Sequence, residues 1–288
     1  MNVVLGSQPA EPERENEDFA AVAPGVAVLL DGAGVAGAET GCTHGIAWFS
    51  STLGGLLLST ATAQPARPLA ECLADSIRVV RSLHEDSCDL TYRASPTSTV
   101  VAVRAGTEAL EYLVLGDSSL LLADKGTGPT VVTDRRLDDV GKRLRGPVDA
   151  LPTGSPEHAA ALAEYREVLT GLRNRPDGFW IAGPDPDAAE HALTGTVPLG
   201  SLSSVTLLSD GATRLVDRFE LTTWQETLAV LDSSGPAELI RRVREVEAGD
   251  PDGQRWPRGK AHDDATALHW TLAYPARSAD CLRGKPGD

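Results

Sequence analysis

The chain has one methionine, four lysines and four cysteines, and aromatic residues make up only 5% of its 288 positions. No stretch approaches the roughly 20 consecutive apolar residues of a membrane helix, so no membrane span is expected. The opening "MNVVLGSQPAEPEREN" has no basic segment followed by an apolar core, so it does not read as a secretory signal, and the expected localisation is cytoplasmic. Basic residues are scarce, 26 against 41 acidic ones, for a net charge of −15. That balance excludes a general nucleic-acid or anionic-membrane binder, because both rely on Lys/Arg excess. Cys42, Cys72, Cys88 and Cys281 show neither a Cys-x-x-Cys pair nor a zinc-like spacing with histidine, and they read as reduced thiols. The six histidines are scattered and are expected mostly at the surface or at helix ends. There is no internal repeat, heptad pattern or glycine-rich phosphate loop.

What remains is an ordinary globular composition, 41% hydrophobic and 23% charged, in a chain long enough to bury a substantial core. Alternating or short apolar runs predict strands at Phe19–Ala23, Gly25–Leu30, Thr99–Arg104, Ala109–Leu115, Leu120–Ala123, Thr130–Thr133, Phe179–Ala182, Ser204–Ser209 and Ala265–Tyr274. A helix-like run at 39–63 is interrupted by Gly54-Gly55. The next, at 68–86, places Leu69, Cys72, Leu73, Ile77, Val80 and Leu83 on one face. Ser155 and Pro156 open a helix that stops near Gly171, and two more helices are expected at 217–232 and 236–248. Strands in clusters with helices inserted in pairs predict an α+β fold of mostly antiparallel sheets rather than a βαβ repeat. The expected domain spans 7–274, with an insert at 135–200 and a disordered tail at 275–288.

Apolar runs that end in aspartate carry the chemistry. Asp31-Gly32 closes "VAVLLDG", Asp210-Gly211 closes "VTLLSDG", Asp117 ends "LEYLVLGD", and Asp263-Asp264 opens "HDDATALHW". Asp-Gly is a hairpin signal, yet neither pair is followed by an alternating strand. A turn at Pro24-Gly25 pairs residues whose numbers sum to 49, and this sets Asp18 opposite Asp31. Facing like charges are destabilising unless a cation lies between them. An all-oxygen set suits Mg²⁺ or Mn²⁺ and disfavours zinc.

The ordered set "ENEDF", "LLDGAG", "SPTSTVVAV", "LVLGDSS", "LLSDGATR" and "HDDATAL" resembles the metal-dependent (type 2C) Ser/Thr protein phosphatase family, over about Arg14 to Leu272. It is similar to the bacterial, single-domain branch, and arginine outnumbers lysine 22 to 4, a ratio that points to a GC-rich bacterial genome. The resemblance implies a four-layer α/β/β/α sandwich, two mostly antiparallel sheets flanked by helices, with two Mn²⁺ or Mg²⁺ ions and a third, weaker one at one edge. It implies metal ligands at Asp31, the Gly32 carbonyl, Asp210 and Asp263. Asp18 and Glu17 of the first motif would hold the site through waters, Asp117 would serve the third ion, and Asp264 would support Asp263. The implied catalytic set is Arg14, Asp31 and Asp210, with Arg14 binding the substrate phosphate. The implied activity is hydrolysis of phosphoserine or phosphothreonine in a protein or peptide by a two-metal-activated water. A monomer is favoured, with neither nucleic acid nor membrane as partner.

Three positions depart from the family pattern. The phosphate-gripping arginine is usual where Glu13 stands, and Arg14 follows one residue late. Ala33 occupies the place of a histidine after Asp-Gly, which leaves the general acid unnamed, and "GDSS" puts Ser119 in place of an arginine. Two alternatives therefore stay open: a weak or inactive phosphatase-like binding or regulatory module, and a phosphatase of small phosphorylated metabolites. The basic stretch Arg135 to Arg145, with five basic and two acidic residues, is an exposed helix face or a contact for a phosphorylated partner. His262, beside Asp263, is expected not to serve the metal site.

Overall fold

A short hairpin forms one edge of the first sheet. In the computed structural model, which describes residues 2–34, 40–124, 126 and 128–272, β2 (Phe19–Ala23) pairs antiparallel with β3 (Val26–Leu30). The ladder runs from Ala23↔Val26 to Phe19↔Leu30, so the constant sum of 49 holds. It continues past the strands, because Gly32 N–H donates to the Glu17 carbonyl over 3.1 Å. Asp18 and Asp31 therefore face each other across the pair.

Every residue of β3 is buried, and the strand lies inside a five-stranded antiparallel sheet in the order β10-β7-β6-β3-β2, built with β6 (Val100–Ala105), β7 (Ala109–Leu115) and β10 (Leu193–Pro198). A second five-stranded antiparallel sheet has the order β1-β12-β11-β8-β9, from β1 (Asn2–Gln8), β8 (Ser119–Asp124), β9 (Thr130–Val132), β11 (Leu202–Leu208) and β12 (Ala265–Thr271). A two-stranded ladder joins β4 (Gly32–Ala33) to β5 (Thr97–Ser98). The facing sheets bury Leu29, Val101, Val103, Val114, Leu122, Val205, Leu207 and Leu268 between them.

Helices cover both outer faces. On the first sheet, α1 (Ile46–Ala63) and α2 (Leu69–His84) pack Phe49, Leu53, Leu57, Leu73, Ile77 and Val80 over Val28, Leu30, Val100 and Leu113. On the second, α6 (Asp210–Asp217), α7 (Trp224–Ser234) and α8 (Pro236–Gly249) bury Leu215, Leu231, Leu239, Ile240 and Val243. The four layers are α/β/β/α, as the resemblance implied. Between β9 and β10 the insert supplies α3 (Arg136–Leu144), α4 (Gly146–Asp149) and α5 (Pro156–Leu172), with Ser155 capping α5 through the His158 N–H.

Several local expectations change. Gly54-Gly55 does not interrupt α1: a Cβ at Gly54 would lie 2.3 Å from the Phe19 ring, so this glycine lets the helix sit close on the sheet. α1 is also long and apolar enough, by length and composition, to cross a membrane, although its apolar face packs on the sheet. Leu83 is 55% exposed, outside the buried face of α2. Phe179–Ala182 is no strand and makes only isolated bridges, Arg173↔Phe179 and Ser98↔Ala182. β1 and β10 were not anticipated. Tyr274, Cys281 and the expected tail at 275–288 lie outside the described residues.

Candidate metal centre

Five aspartates arrive at one end of the two sheets because the strands that carry them stop there. Asp18 precedes β2, Asp31 follows β3, Asp117 lies between β7 and β8, Asp210 follows β11 as the first residue of α6, and Asp263 leads into β12. Neither Asp-Gly is a hairpin. Asp31-Gly32 runs into the short β4, while Asp210-Gly211 opens a helix with Ser209 as its N-cap. The β11–β12 ladder extends one step beyond the strands through Ser209 N–H to the Thr266 carbonyl (3.0 Å) and Thr266 N–H to the Ser209 hydroxyl (2.9 Å). That extension brings Asp210 beside the Asp263-Asp264 pair. Gly211 is required there because a Cβ would stand 1.9 Å from the Asp264 carbonyl oxygen. The glycine thus makes room for the neighbouring backbone.

Asp31 is held by its backbone. Its carbonyl accepts from Thr99 N–H and the Ser98 hydroxyl, both at 2.9 Å, and its N–H donates to the Thr99 hydroxyl at 3.3 Å. Thr99 in turn shares a 2.6 Å hydrogen bond with the Ser118 hydroxyl. The "SPTST" and "GDSS" motifs therefore serve as clamps, and the Asp31 carboxylate is left for other work. One of its oxygens accepts from Asp210 N–H at 3.3 Å.

The electrostatics of the cluster call for a cation. Burial, then repulsion from Asp18, Asp210, Asp263 and Asp117, pushes Asp31 well above the ordinary carboxylate range. Burial and Asp210 lift Asp117 to about 8. Burial lifts Asp18 to about 7 even though the Thr266 and Ser209 hydroxyls lower it, and neither of its oxygens has a hydrogen-bond partner within normal geometry. Asp210 and Glu17 are raised, in both cases chiefly by burial. Buried carboxylates this close ionise together only when positive charge joins them, and an oxygen-only set fits a hard divalent ion.

Asp263 differs from the rest. Burial opposes its charge, but Lys260 and Arg214 outweigh burial and hold it below the ordinary range. Lys260 Nζ donates to Oδ1 over 2.7 Å, and Arg214 donates to Oδ2 over 3.0 Å. Behind them Glu247, fully buried on α8, accepts from Arg214 (2.6 Å) and Arg244 (2.7 Å), and His262 Nδ1 sits 2.9 Å from its second oxygen. Arg244 also donates to the Asp263 carbonyl over 2.6 Å. His262 thus faces Glu247. Asp264 supports Asp263 through its backbone, whose N–H donates to Asp263 Oδ1 over 3.2 Å. Its carboxylate accepts from Ala10 N–H (2.7 Å) and Glu17 N–H (2.8 Å), which staples the Glu17-Asp18 segment to the cluster.

Sequence reasoning missed Arg214, Glu247 and Lys260. Arg214 lies four residues after Asp210, one helical turn on, which was a usable signal; Glu247 had none. Arg14 is exposed, close enough to lower the proton affinity of Glu17.

No protein-family model matches this sequence, and no curated protein matches it either. Solved structures do. The serine/threonine phosphatase Stp1 from Staphylococcus aureus superposes with a TM-score of 0.55 at 12% identity, covering 94% of this chain and 95% of that one. The PPM Ser-Thr phosphatase MsPP from Mycobacterium smegmatis, solved with cacodylate, gives 0.55 at 17% identity, covering 95% and 99%. The catalytic domain of the serine/threonine protein phosphatase PstP, solved with two manganese ions, gives 0.54 at 15% identity, covering 94% and 97%. With end-to-end coverage, two facing antiparallel sheets and helices on both outer faces, the chain has the fold of the bacterial PPM Ser/Thr phosphatases.

Proposed function

We propose that this protein is a metal-dependent phosphatase of phosphoserine and phosphothreonine. The observation that carries the reading is the convergence of Asp18, Asp31, Asp117 and Asp210 in one buried cluster whose charges need a cation. Asp31, Asp210, Asp263 and the Gly32 carbonyl would hold two ions, with Asp18 and Glu17 supporting them and Asp117 serving a third. When bound, Mn²⁺ or Mg²⁺ would lower the pKa of a water and offset charge on phosphoryl oxygens.

The chain's own groups do the positioning. Thr99, Ser98 and Ser118 fix the Asp31 backbone, and Asp264 fixes the segment that carries Glu17 and Asp18. Arg14 would grip a phosphate as a bidentate donor. A cavity of about 650 Å³ between the start of α5 and the loop before β12 is lined by His158, Leu162, Gly259 and Lys260. It offers room for peptide residues flanking the phosphate. The reading predicts Mn²⁺-dependent release of phosphate from a phosphoserine peptide, abolished by chelator and outcompeting small phosphorylated metabolites. A preference for the metabolites would move the substrate class.

One observation favours the second reading, a phosphatase-like binding module. Asp263 already has a cation on each oxygen, so an ion that reaches it competes with Lys260 and Arg214. Lys260→Met is expected to tighten Mn²⁺ binding roughly fivefold, corresponding to about 1 kcal/mol for a pair this exposed, as read by calorimetric titration. No Mn²⁺ binding by either form would support the binding module.

A further inference from the structure

A second cluster of ligand atoms lies away from the aspartates, and it is the one the cysteine spacing argued against. Cys42 and His44 stand in the segment before α1; His84 ends α2, and Cys88 follows it. The four ligand atoms all lie within 4.8 Å of one another, the one such group among the described residues. Cys42 Sγ is 3.6 Å from Cys88 Sγ, 3.8 Å from His44 Nδ1 and 3.6 Å from His84 Nδ1, while Cys88 Sγ is 3.4 Å from His44 Nδ1.

Those separations match a tetrahedron around one ion. With Zn–S near 2.3 Å and Zn–N near 2.05 Å, tetrahedral ligands stand about 3.8 Å apart for S–S and about 3.6 Å for S–N. Each of these four distances lies close to its ideal value, and the sulfurs are too far apart for a disulfide, whose S–S bond is about 2.05 Å. Two thiolates and two imidazoles close the coordination shell, leaving no position for water, which is the arrangement of a structural site rather than a catalytic one.

The surroundings prepare the ligands. His44 N–H donates to Cys42 Sγ and Thr43 N–H to Cys88 Sγ, both at 3.4 Å, and such donors favour thiolate over thiol. Both imidazoles rest on Trp48, with ring centroids at 4.2 Å for His44 and 5.2 Å for His84. His84 is 2% exposed, so its ring has little freedom to turn away. Asp89 N–H donates to the Gly41 carbonyl over 2.8 Å and draws the two segments together from the other side.

We propose that Cys42, His44, His84 and Cys88 bind one structural Zn²⁺, which ties the segment before α1 to the end of α2. Ile46, the first residue of α1, packs so closely on Gly32 that a Cβ there would meet it at 2.5 Å. Zinc would thereby brace the helix that backs the Asp31-Gly32 corner. This inference does not depend on the phosphatase reading, since no carboxylate takes part.

The test uses the full chain, purified reduced and without chelator from zinc-supplemented cells. Elemental analysis is expected to find one zinc per chain, retained when Mn²⁺ is dialysed away. Replacement by Co²⁺ should give tetrahedral d–d bands together with thiolate-to-cobalt charge transfer, which an oxygen-only site cannot produce. Cys42→Ser with Cys88→Ser should lose the zinc entirely. If that pair fails to fold, His44→Ala, a change at an exposed position, should still alter the cobalt spectrum. Wild-type protein with reduced thiols that holds no zinc and shows no charge-transfer band would overturn the proposal. So would isolation of the chain with a Cys42–Cys88 disulfide, or a cobalt spectrum of oxygen ligands only.

Discussion

Asp31→Asn is expected to cut Mn²⁺-dependent phosphatase activity by about a thousandfold or more, because it removes the charged group on which the ions would converge. The same change should stabilise the metal-free protein at pH 8. Asp31 is buried and repelled by Asp18, Asp210, Asp263 and Asp117, so a neutral amide relieves a repulsion that a proton or a cation otherwise relieves. The pH dependence has a fixed sign. Asp18 and Asp117 rise from 3.8 to about 7 and about 8 in the folded state, so between those limits the native state binds more protons than the unfolded one. Stability of the metal-free protein therefore falls as pH rises from about 4 to about 8. Thermal melts with chelator should show a falling Tm across that range in the wild type and a shallower fall in Asp31→Asn. Mn²⁺ should restore the wild type at pH 8 and do far less for the variant. A wild-type Tm indifferent to both pH and Mn²⁺ would mean that the cluster is not the metal centre.

The residues differ in how visible this design is from sequence. Asp18 facing Asp31 followed from the Pro24-Gly25 turn alone, because a hairpin fixes its register and a register fixes its neighbours. Asp210 and Asp263 could be placed at strand ends, since the apolar runs beside them fit buried strands. The role of the Asp264 carboxylate was not visible, because its partners, Ala10 and Glu17, come from the far end of the chain. The Cys/His cluster was hidden for the same reason. Its two pairs of ligands are separated by α1 and α2, and only the packing of those helices on one sheet returns Cys88 to Cys42. β1 escaped because its residues are mostly exposed and show no clean alternation of burial.

The second large effect concerns a residue that touches no substrate. Glu247→Ala is expected to cost about 3–5 kcal/mol of stability, the loss seen when one partner of a buried ion pair is removed. For a domain of this size that is a Tm lower by roughly 10 °C. Glu247 is fully buried and balances two arginines at once, Arg214 and Arg244. Without it, Arg214, itself 8% exposed, keeps only Asp263 as a carboxylate partner in the ion pairs described. The freed guanidinium should then bind Asp263 more firmly and compete with an ion, so Mn²⁺ affinity should fall along with stability. Glu247→Gln separates the two consequences, because it keeps the side-chain shape and an oxygen acceptor but removes the charge. It should recover part of the lost stability while Mn²⁺ binding stays weak. Equal Mn²⁺ affinity in the wild type and both variants, measured at a temperature where all three are folded, would show that the Arg214–Glu247 pair holds α6 to α8 and has no hand in tuning Asp263.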